Sequence, residues 1–150
     1  KTMTSNENAK DEIASFCDSG NWDAAISALL RAIDDAPSNA NLWARMGWCK
    51  FSMGAFQGAI PDLSRALELK PGGATTLYIR ARCWEEVGEL DKAVLDYSES
   101  LRVKPKADAF IARGLIHKYK GRIDQAVSDF EDALRFDPGN EVAEGLLRHL

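Results

Sequence analysis

Residues 41–71 read NLWARMGWCKFSMGAFQGAIPDLSRALELKP, and this stretch decides the fold. Apolar residues of its first half recur at helical spacing, and they include Trp43, Met46 and Phe51. Gly54 interrupts this pattern, because glycine tolerates the positive φ of a tight turn. The second half carries a small–large–small helical face made of Ala59, Leu63 and Ala66. Pro71 ends it, so the stretch predicts a helical hairpin.

The turn and end positions of this hairpin recur along the whole chain. Glycines follow one another at intervals of 34, 34 and 33 residues, at Gly20, Gly54, Gly88 and Gly121. The same intervals separate four alanines and four prolines, which are Ala25, Ala59, Ala93, Ala126, Pro37, Pro71, Pro105 and Pro138. Three residue types that share one period predict four copies of the hairpin.

The second helix of every copy presents the same kind of face. Its members are Ala25/Leu29/Ala32, Ala59/Leu63/Ala66, Ala93/Tyr97/Ser100 and Ala126/Phe130/Ala133. One hairpin cannot bury such a face alone, whereas stacked neighbours bury it continuously. We therefore expect four repeats, at residues 6–39, 40–73, 74–106 and 107–140, after a flexible lead-in at residues 1–5.

The spacing of these residues resembles the tetratricopeptide repeat family, whose pattern is W-x₂-L-G-x₂-Y…A-x₃-F…P. The resemblance covers roughly residues 6–140, and the second repeat matches best. The first departs most, because Ala9, Glu12 and Ile13 replace a large, large, small trio. The resemblance implies an all-α fold: a right-handed α-solenoid of four tandem hairpins plus a C-terminal capping helix.

The expected capping helix occupies residues 141–150. Its apolar side chains share one helical face, and they are Val142, Leu146, Leu147 and Leu150. A fifth repeat would need a bulky residue at Glu144 and a small one at Arg148. A helix that covers the last hairpin is the better interpretation, since terminal repeats need such covers.

Composition excludes several classes of function. A net charge of −4 argues against a nucleic-acid or anionic-membrane surface. No apolar run approaches the roughly 20 residues that span a bilayer. Cys17, Cys49 and Cys83 stand far apart without C-x-x-C spacing, which favours reduced thiols over a disulfide framework or zinc site. We expect the cytoplasm or another reducing intracellular compartment.

No residue constellation predicts catalysis. His117 and His149 have no partner at motif spacing, so we interpret them as groove-edge or surface imidazoles. Cys49 and Cys83 occupy one slot of successive repeats, which favours packing. No phosphate-binding or calcium-binding loop occurs. The sequence therefore predicts a protein that is not an enzyme, without catalytic residues, metal or cofactor.

Two arginine–aspartate pairs share an offset of 16 residues: Arg80 with Asp96, and Arg113 with Asp129. Recurrence at one offset predicts an ion pair that joins the two helices of a hairpin. The alternative interpretation is that these arginines recognise and bind a ligand.

The family resemblance implies that first helices line a concave groove in which partners lie. The residues expected to line it are Asn41, Arg45, Trp48, Phe51, Tyr78, Arg82, Glu85, Ile111, Leu115 and Lys118. Aromatic and arginine residues in an apolar groove are typical of binding hot spots. Trp48 falls outside the slots that hairpin stacking uses, and it is either a partner contact or a core residue.

A carboxylate clamp of the kind found in chaperone-binding members does not fit. Starting from the first repeat, its five positions hold Lys10, Ala14, Arg45, Thr75 and Ile79, and starting one repeat later fits no better. We therefore predict a protein–protein interaction adaptor or scaffold that binds a partner peptide or helix. Two alternatives stay open: a self-associating architectural module, and a targeting or regulatory domain of a longer, possibly catalytic protein.

Overall fold

The computed structural model describes residues 5–150, which contain nine α-helices and no strand. The helices are α1 (Ser5–Asp18), α2 (Trp22–Asp35), α3 (Ala40–Ser52), α4 (Phe56–Leu69), α5 (Ala74–Glu86), α6 (Leu90–Val103), α7 (Ala107–Tyr119), α8 (Ile123–Phe136) and α9 (Glu141–Arg148). The predicted flexible lead-in at residues 1–5 lies outside the described residues, except for Ser5, where α1 begins.

The four predicted turn glycines all adopt positive φ, between 71° and 85°. At Gly54 the turn closes as a Schellman motif, in which the Ala55 N–H donates to the Lys50 carbonyl oxygen at 2.8 Å. The equivalent bond forms after each of the other three glycines. The second helix of each hairpin then begins two residues after its glycine, so the glycines set the hairpin geometry.

The prolines mark the ends of the second helices. Each of these helices ends two residues before its proline, at Asp35, Leu69, Val103 and Phe136. The residue before a proline is pushed out of the helical region, which explains the regular ending.

The chain divides into two compact units, one that ends at Pro71 and one from Gly72 to Leu150. In the first unit, α1 pairs with α2, α3 pairs with α4, and α2 also packs against α3. Its largest core cluster consists of Ile13, Cys17, Ala25, Ala28, Leu29, Ile33, Met46 and Cys49.

In the second unit, α5 pairs with α6, α7 pairs with α8, and α6 also packs against α7. Tyr97 and Phe110 are the large side chains of its core cluster, with smaller residues around them. The terminal helix α9 packs on α8 and buries Ala143 completely. The face of α9 thus differs from the predicted one, because Val142 is 59% exposed.

Glycine allows the two helices of a hairpin to approach closely. A Cβ atom at Gly114 would lie 2.6 Å from Cε1 of Phe130, and one at Gly47 would lie 2.5 Å from Cδ2 of Leu63. These distances are far below van der Waals contact. The small residues predicted at the close-approach points of α3 and α7 are therefore required by packing.

Both predicted arginine–aspartate pairs join the helices of a hairpin. Nε and Nη2 of Arg80 donate to the Asp96 carboxylate at 2.7 and 2.8 Å. Arg113 binds Asp129 in the same bidentate manner, and its Nη1 also donates to Ser98 Oγ at 2.9 Å. These side chains are largely buried, so they hold α5 to α6 and α7 to α8.

Candidate functional site

Four of the predicted partner-binding residues lie on α3, and three of them are exposed: Asn41, Arg45 and Trp48. Trp48 keeps 38% of its surface exposed. Its ring meets that of Trp22 edge-on, with centroids 5.3 Å apart and planes at 81°. Trp48 is therefore neither a core residue nor a free side chain, since one edge packs and the rest faces solvent.

Phe51, also on α3, is half-buried. Its ring lies edge-on to that of Phe56, the first residue of α4, with centroids 5.7 Å apart. This contact lies within one hairpin, so much of Phe51 serves to hold α3 and α4 together.

Tyr78 and Arg82, one turn apart on α5, form the polar part of the predicted site in the second unit. The Tyr78 ring is half-buried and packs edge-on against Tyr97 at 5.7 Å. Burial raises the pKa of Tyr78, and the nearby Arg82 guanidinium, hydrogen-bonded to it, partly offsets this rise. Arg82 itself is exposed.

Glu85 is held by the core of the same unit. The Tyr97 hydroxyl donates to Oε2 of Glu85 at 2.8 Å. Burial, followed by this hydrogen bond, raises the pKa of Tyr97, so the hydroxyl stays protonated and keeps donating. Glu85 is half-buried, and this bond fixes the side chain that we predicted to face a partner.

The predicted residues of α7 differ in exposure. Ile111 is half-buried and packs on the core cluster of the second unit. Leu115 is 40% exposed, and Lys118 is half-buried. Leu115 is therefore the most exposed apolar side chain among the three residues predicted on α7.

A small cavity of about 80 Å³ adjoins Tyr78. It lies between the start of α5, the end of α6 and the start of α7, and is lined by Thr75, Tyr78, Lys104, Lys106 and Asp108, among others. Lys104 and Lys106, which flank Pro105, are not among the residues predicted from the sequence to line the site. Their position on either side of the proline that separates two repeats was the only available sign.

His117 differs from the predicted surface imidazole, because it is only 6% exposed. Its Nε2 lies 3.8 Å from Oδ2 of Asp129, and its Nδ1 is a buried atom without a hydrogen-bond partner in residues 5–150. Burial is the main cause that lowers the pKa of His117. The side chain lines an open polar cleft of about 470 Å³ together with Arg113, Asp129 and residues of α6 and α8.

Metal binding and membrane insertion were considered for residues 5–150, the part of the chain that the structure describes. It contains no group of three or more His, Cys, Asp and Glu side chains that could hold a metal ion. None of its helices has both the length and the apolar character needed to cross a membrane.

Comparison with protein families finds tetratricopeptide repeats over most of the chain. One family model, described as tetratricopeptide repeat, matches residues 14–74 and 50–109. A second model with the same description matches residues 107–140. No curated protein matches the sequence.

Solved structures show the same fold. A crystal structure of MamA superimposes with a TM-score of 0.83 at 22% identity, over 95% of this chain and 80% of that one. YrrB, described as a TPR protein with an unusual peptide-binding site, superimposes with a TM-score of 0.84 at 20% sequence identity. The match covers 96% of this chain and 75% of YrrB. A tetratricopeptide repeat protein from Parabacteroides merdae ATCC 43184 superimposes with a TM-score of 0.84 at 27% sequence identity. This match covers 91% of this chain and 55% of that one. The predicted all-α repeat fold is thereby confirmed.

Proposed function

The chain belongs to the tetratricopeptide repeat family, and on that premise we propose that the exposed faces of its first helices bind a segment of another protein. The family and its fold support a protein–protein interaction module. The proposed segment carries apolar side chains for the aromatic contacts and acidic side chains for the arginines.

Trp48 carries this proposal. A large aromatic side chain that is 38% exposed and held edge-on by Trp22 contributes contact area with little loss of conformational freedom on binding. Arg45 lies three residues earlier on the same helix and is also exposed. Tryptophan and arginine are the residues most enriched among binding hot spots, and here they are neighbours.

The second unit offers a face of similar chemistry. Arg82 lies beside the Tyr78 hydroxyl, and Lys104 and Lys106 line the adjacent cavity. These three cations outnumber the two nearby carboxylates, Glu85 and Asp108. The local excess of positive charge contrasts with the net charge of −4 of the whole chain. It favours an acidic partner segment, because guanidinium and ammonium groups form charge-assisted hydrogen bonds with carboxylates.

YrrB, with a similar fold, is described as having an unusual peptide-binding site. That description belongs to YrrB, but it supports a peptide as the partner class worth testing for this chain.

A display library of random peptides, selected against the whole chain, would test the proposal. We expect enriched sequences to combine acidic and apolar residues. Trp48→Ala should weaken their binding about tenfold or more, as truncation of a hot-spot aromatic does. Leu115→Ala should weaken binding less, because leucine offers a smaller contact surface. Fluorescence anisotropy of labelled peptides would give the dissociation constants.

Leu30→Ala and Leu95→Ala are matched controls, since both leucines are exposed apolar side chains on second helices. They should leave peptide affinity unchanged. Peptides that bind the Trp48→Ala and Leu115→Ala variants as tightly as the wild type would disprove the first-helix faces as the binding site.

Self-association is a second candidate. The junction of α7 and α8 exposes Tyr119 and Ile123, large side chains that water solvates poorly. Sedimentation velocity over a wide concentration range would reveal a dimer. A dimer that Tyr119→Ser abolishes would favour this role, whereas a monomer at all concentrations would exclude it.

A further inference from the structure

Two cysteines far apart in the sequence meet in the first unit. The Sγ atoms of Cys17, near the end of α1, and Cys49, in α3, lie 3.8 Å apart. Cys49 is fully buried and Cys17 is 9% exposed. Both are free thiols. The sequence spacing gave no sign of this pair, because the two sulfurs approach only through the packing of α1 and α3.

The two sulfurs need a further approach of only about 1.8 Å to reach the length of an S–S bond. Cys17 can supply this movement, because it is the second-last residue of α1 and the Gly20 turn follows it. Helix ends fray and adjust more easily than helix interiors. Cys49 lies in the last turn of α3, three residues before its end, and its side chain is fully buried.

We propose that Cys17 and Cys49 form an oxidisable dithiol, which a low-molecular-weight disulfide converts into an internal disulfide that ties α1 to α3.

The reaction balances as two thiol–disulfide exchanges. The Cys17 thiolate attacks one sulfur of the small disulfide, and the first small thiolate leaves and takes up the proton that Cys17 lost. Cys49 then loses its proton and attacks the Cys17 sulfur, and the second small thiolate leaves and takes up that proton. Two protein thiols are oxidised, and one small disulfide is reduced to two small thiols.

This order of attack follows from burial. Cys17 is the more exposed of the two sulfurs and lies at a helix end, so an oxidant reaches it first. Burial raises the pKa of Cys49 to about 12, which keeps this thiol inert toward reagents in solution. The nearby Arg45 acts in the opposite direction and favours the thiolate that the second exchange requires.

The disulfide would act on the least anchored helix of the first unit. Among its described side chains, α1 buries only Ile13 and Cys17, and Phe16 is half-buried. A helix with so few buried contacts opens locally more often than the rest of a unit. The cross-link would therefore close α1 onto α3 and suppress this opening.

The test treats the folded chain with glutathione disulfide and then denatures it in the presence of excess alkylating reagent, so that buried free thiols also react. Peptide mass mapping then locates the linked and the alkylated cysteines. We expect one linked peptide pair, Cys17 with Cys49, and full alkylation of Cys83. Limited proteolysis within α1 should slow about tenfold or more in the oxidised protein, because a disulfide of this loop size strongly opposes local unfolding. Dithiothreitol should restore the original rate.

Cys83→Ala is the matched control, because Cys83 fills the same repeat slot as Cys49 and is the only cysteine from Gly72 to Leu150. This variant should still form the cross-link, whereas Cys17→Ser should not. Cys49→Ala should also form no internal cross-link. If Cys49→Ala fails to fold, Cys17→Ser and the peptide map of the wild-type chain still test the proposal. In urea the three cysteines should pair without selectivity.

Several results would overturn the proposal. A stable glutathione adduct on Cys17 without the internal bond would show that the sulfurs cannot close. A link that includes Cys83, a disulfide between two chains, or alkylation of all three cysteines when the glutathione-treated protein is denatured would also overturn it.

Discussion

At the scale of single residues, backbone conformation and burial set what each position tolerates. Gly54 adopts a φ of 79°, yet a Cβ atom there would meet nothing within 4 Å. The requirement for glycine at this turn is therefore conformational. Gly114 shows the opposite case, because its missing Cβ makes room for the Phe130 ring.

Gly54→Ala should lower the free energy of unfolding by about 1–2 kcal/mol, the usual cost of a left-handed conformation for a residue with a Cβ atom. Urea unfolding followed by circular dichroism would measure it. Gly72→Ala is the control, since Gly72 has open space and no positive φ. Equal losses in the two variants would contradict the conformational explanation.

His117 predicts a dependence of stability on pH. Its pKa lies below the ordinary 6.5 in the folded state, because burial disfavours the charged imidazole. The unfolded chain therefore binds this proton more readily, and stability is lost as the pH falls through 6.5 toward the folded-state pKa. Above this window the residue has no effect.

The urea midpoint should thus decrease between pH 7.5 and 5.5 in the wild type, and less steeply in His117→Gln. His149→Gln should retain the full dependence, because His149 is exposed. An unchanged slope in His117→Gln would show that another group is responsible.

At the scale of helices, a buried carboxylate in the middle of the second helix joins the two helices in each of the last three hairpins. Asp96 and Asp129 receive an arginine from the first helix. Asp62 instead receives Lys50, whose Nζ lies 2.6 Å from Oδ2. In the second hairpin, the position equivalent to Arg80 and Arg113 is occupied by Met46, which carries no charge. Lys50, one helical turn further along α3, supplies the cation that pairs with Asp62.

Asp129→Ala should destabilise the chain by about 2–3 kcal/mol, because it leaves Arg113 largely buried without its partner. The double variant Arg113→Met with Asp129→Leu should recover much of this loss, since it removes both charges. Asp132→Ala, which breaks an exposed pair with Arg135, should change stability little. Urea denaturation compares the three, and equal effects of Asp129→Ala and Asp132→Ala would contradict the buried-pair argument.

At the scale of the whole molecule, each of the two compact units has its own buried cluster. The unit from Gly72 to Leu150 contains two hairpins and α9, with Tyr97 completely buried at its centre. Repeat proteins derive their stability from the repeats and their nearest neighbours, so two hairpins with a terminal helix form a small cooperative unit.

A fragment of residues 72–150 should therefore fold alone and unfold cooperatively in urea. Trp84 is its only tryptophan and reports the transition by fluorescence. Tyr97→Ala should abolish that transition, since truncation of a buried aromatic costs about 3–5 kcal/mol. A wild-type fragment with helical circular dichroism but a gradual, non-cooperative loss of signal would refute independent folding.

Sequence by itself determined the features of this protein that depend on neighbouring residues. The positive-φ glycines, the helix ends before each proline and the buried face of Ala93, Tyr97 and Ser100 follow from local conformation and helical periodicity. The pairing of Arg80 with Asp96 was also accessible, because both side chains recur at a constant offset within one hairpin.

Tertiary structure alone decided the contacts between different hairpins and the burial of His117. The contact of Cys17 with Cys49, the edge of Trp48 against Trp22, and the burial of His117 each depend on interhelical distances of a few ångströms. Hydrophobic periodicity specifies which face of a helix turns inward, but not how far that helix lies from its neighbour. Packing of the complete set of side chains determines that distance, and with it the chemistry of the thiol pair and the exposed face of α3.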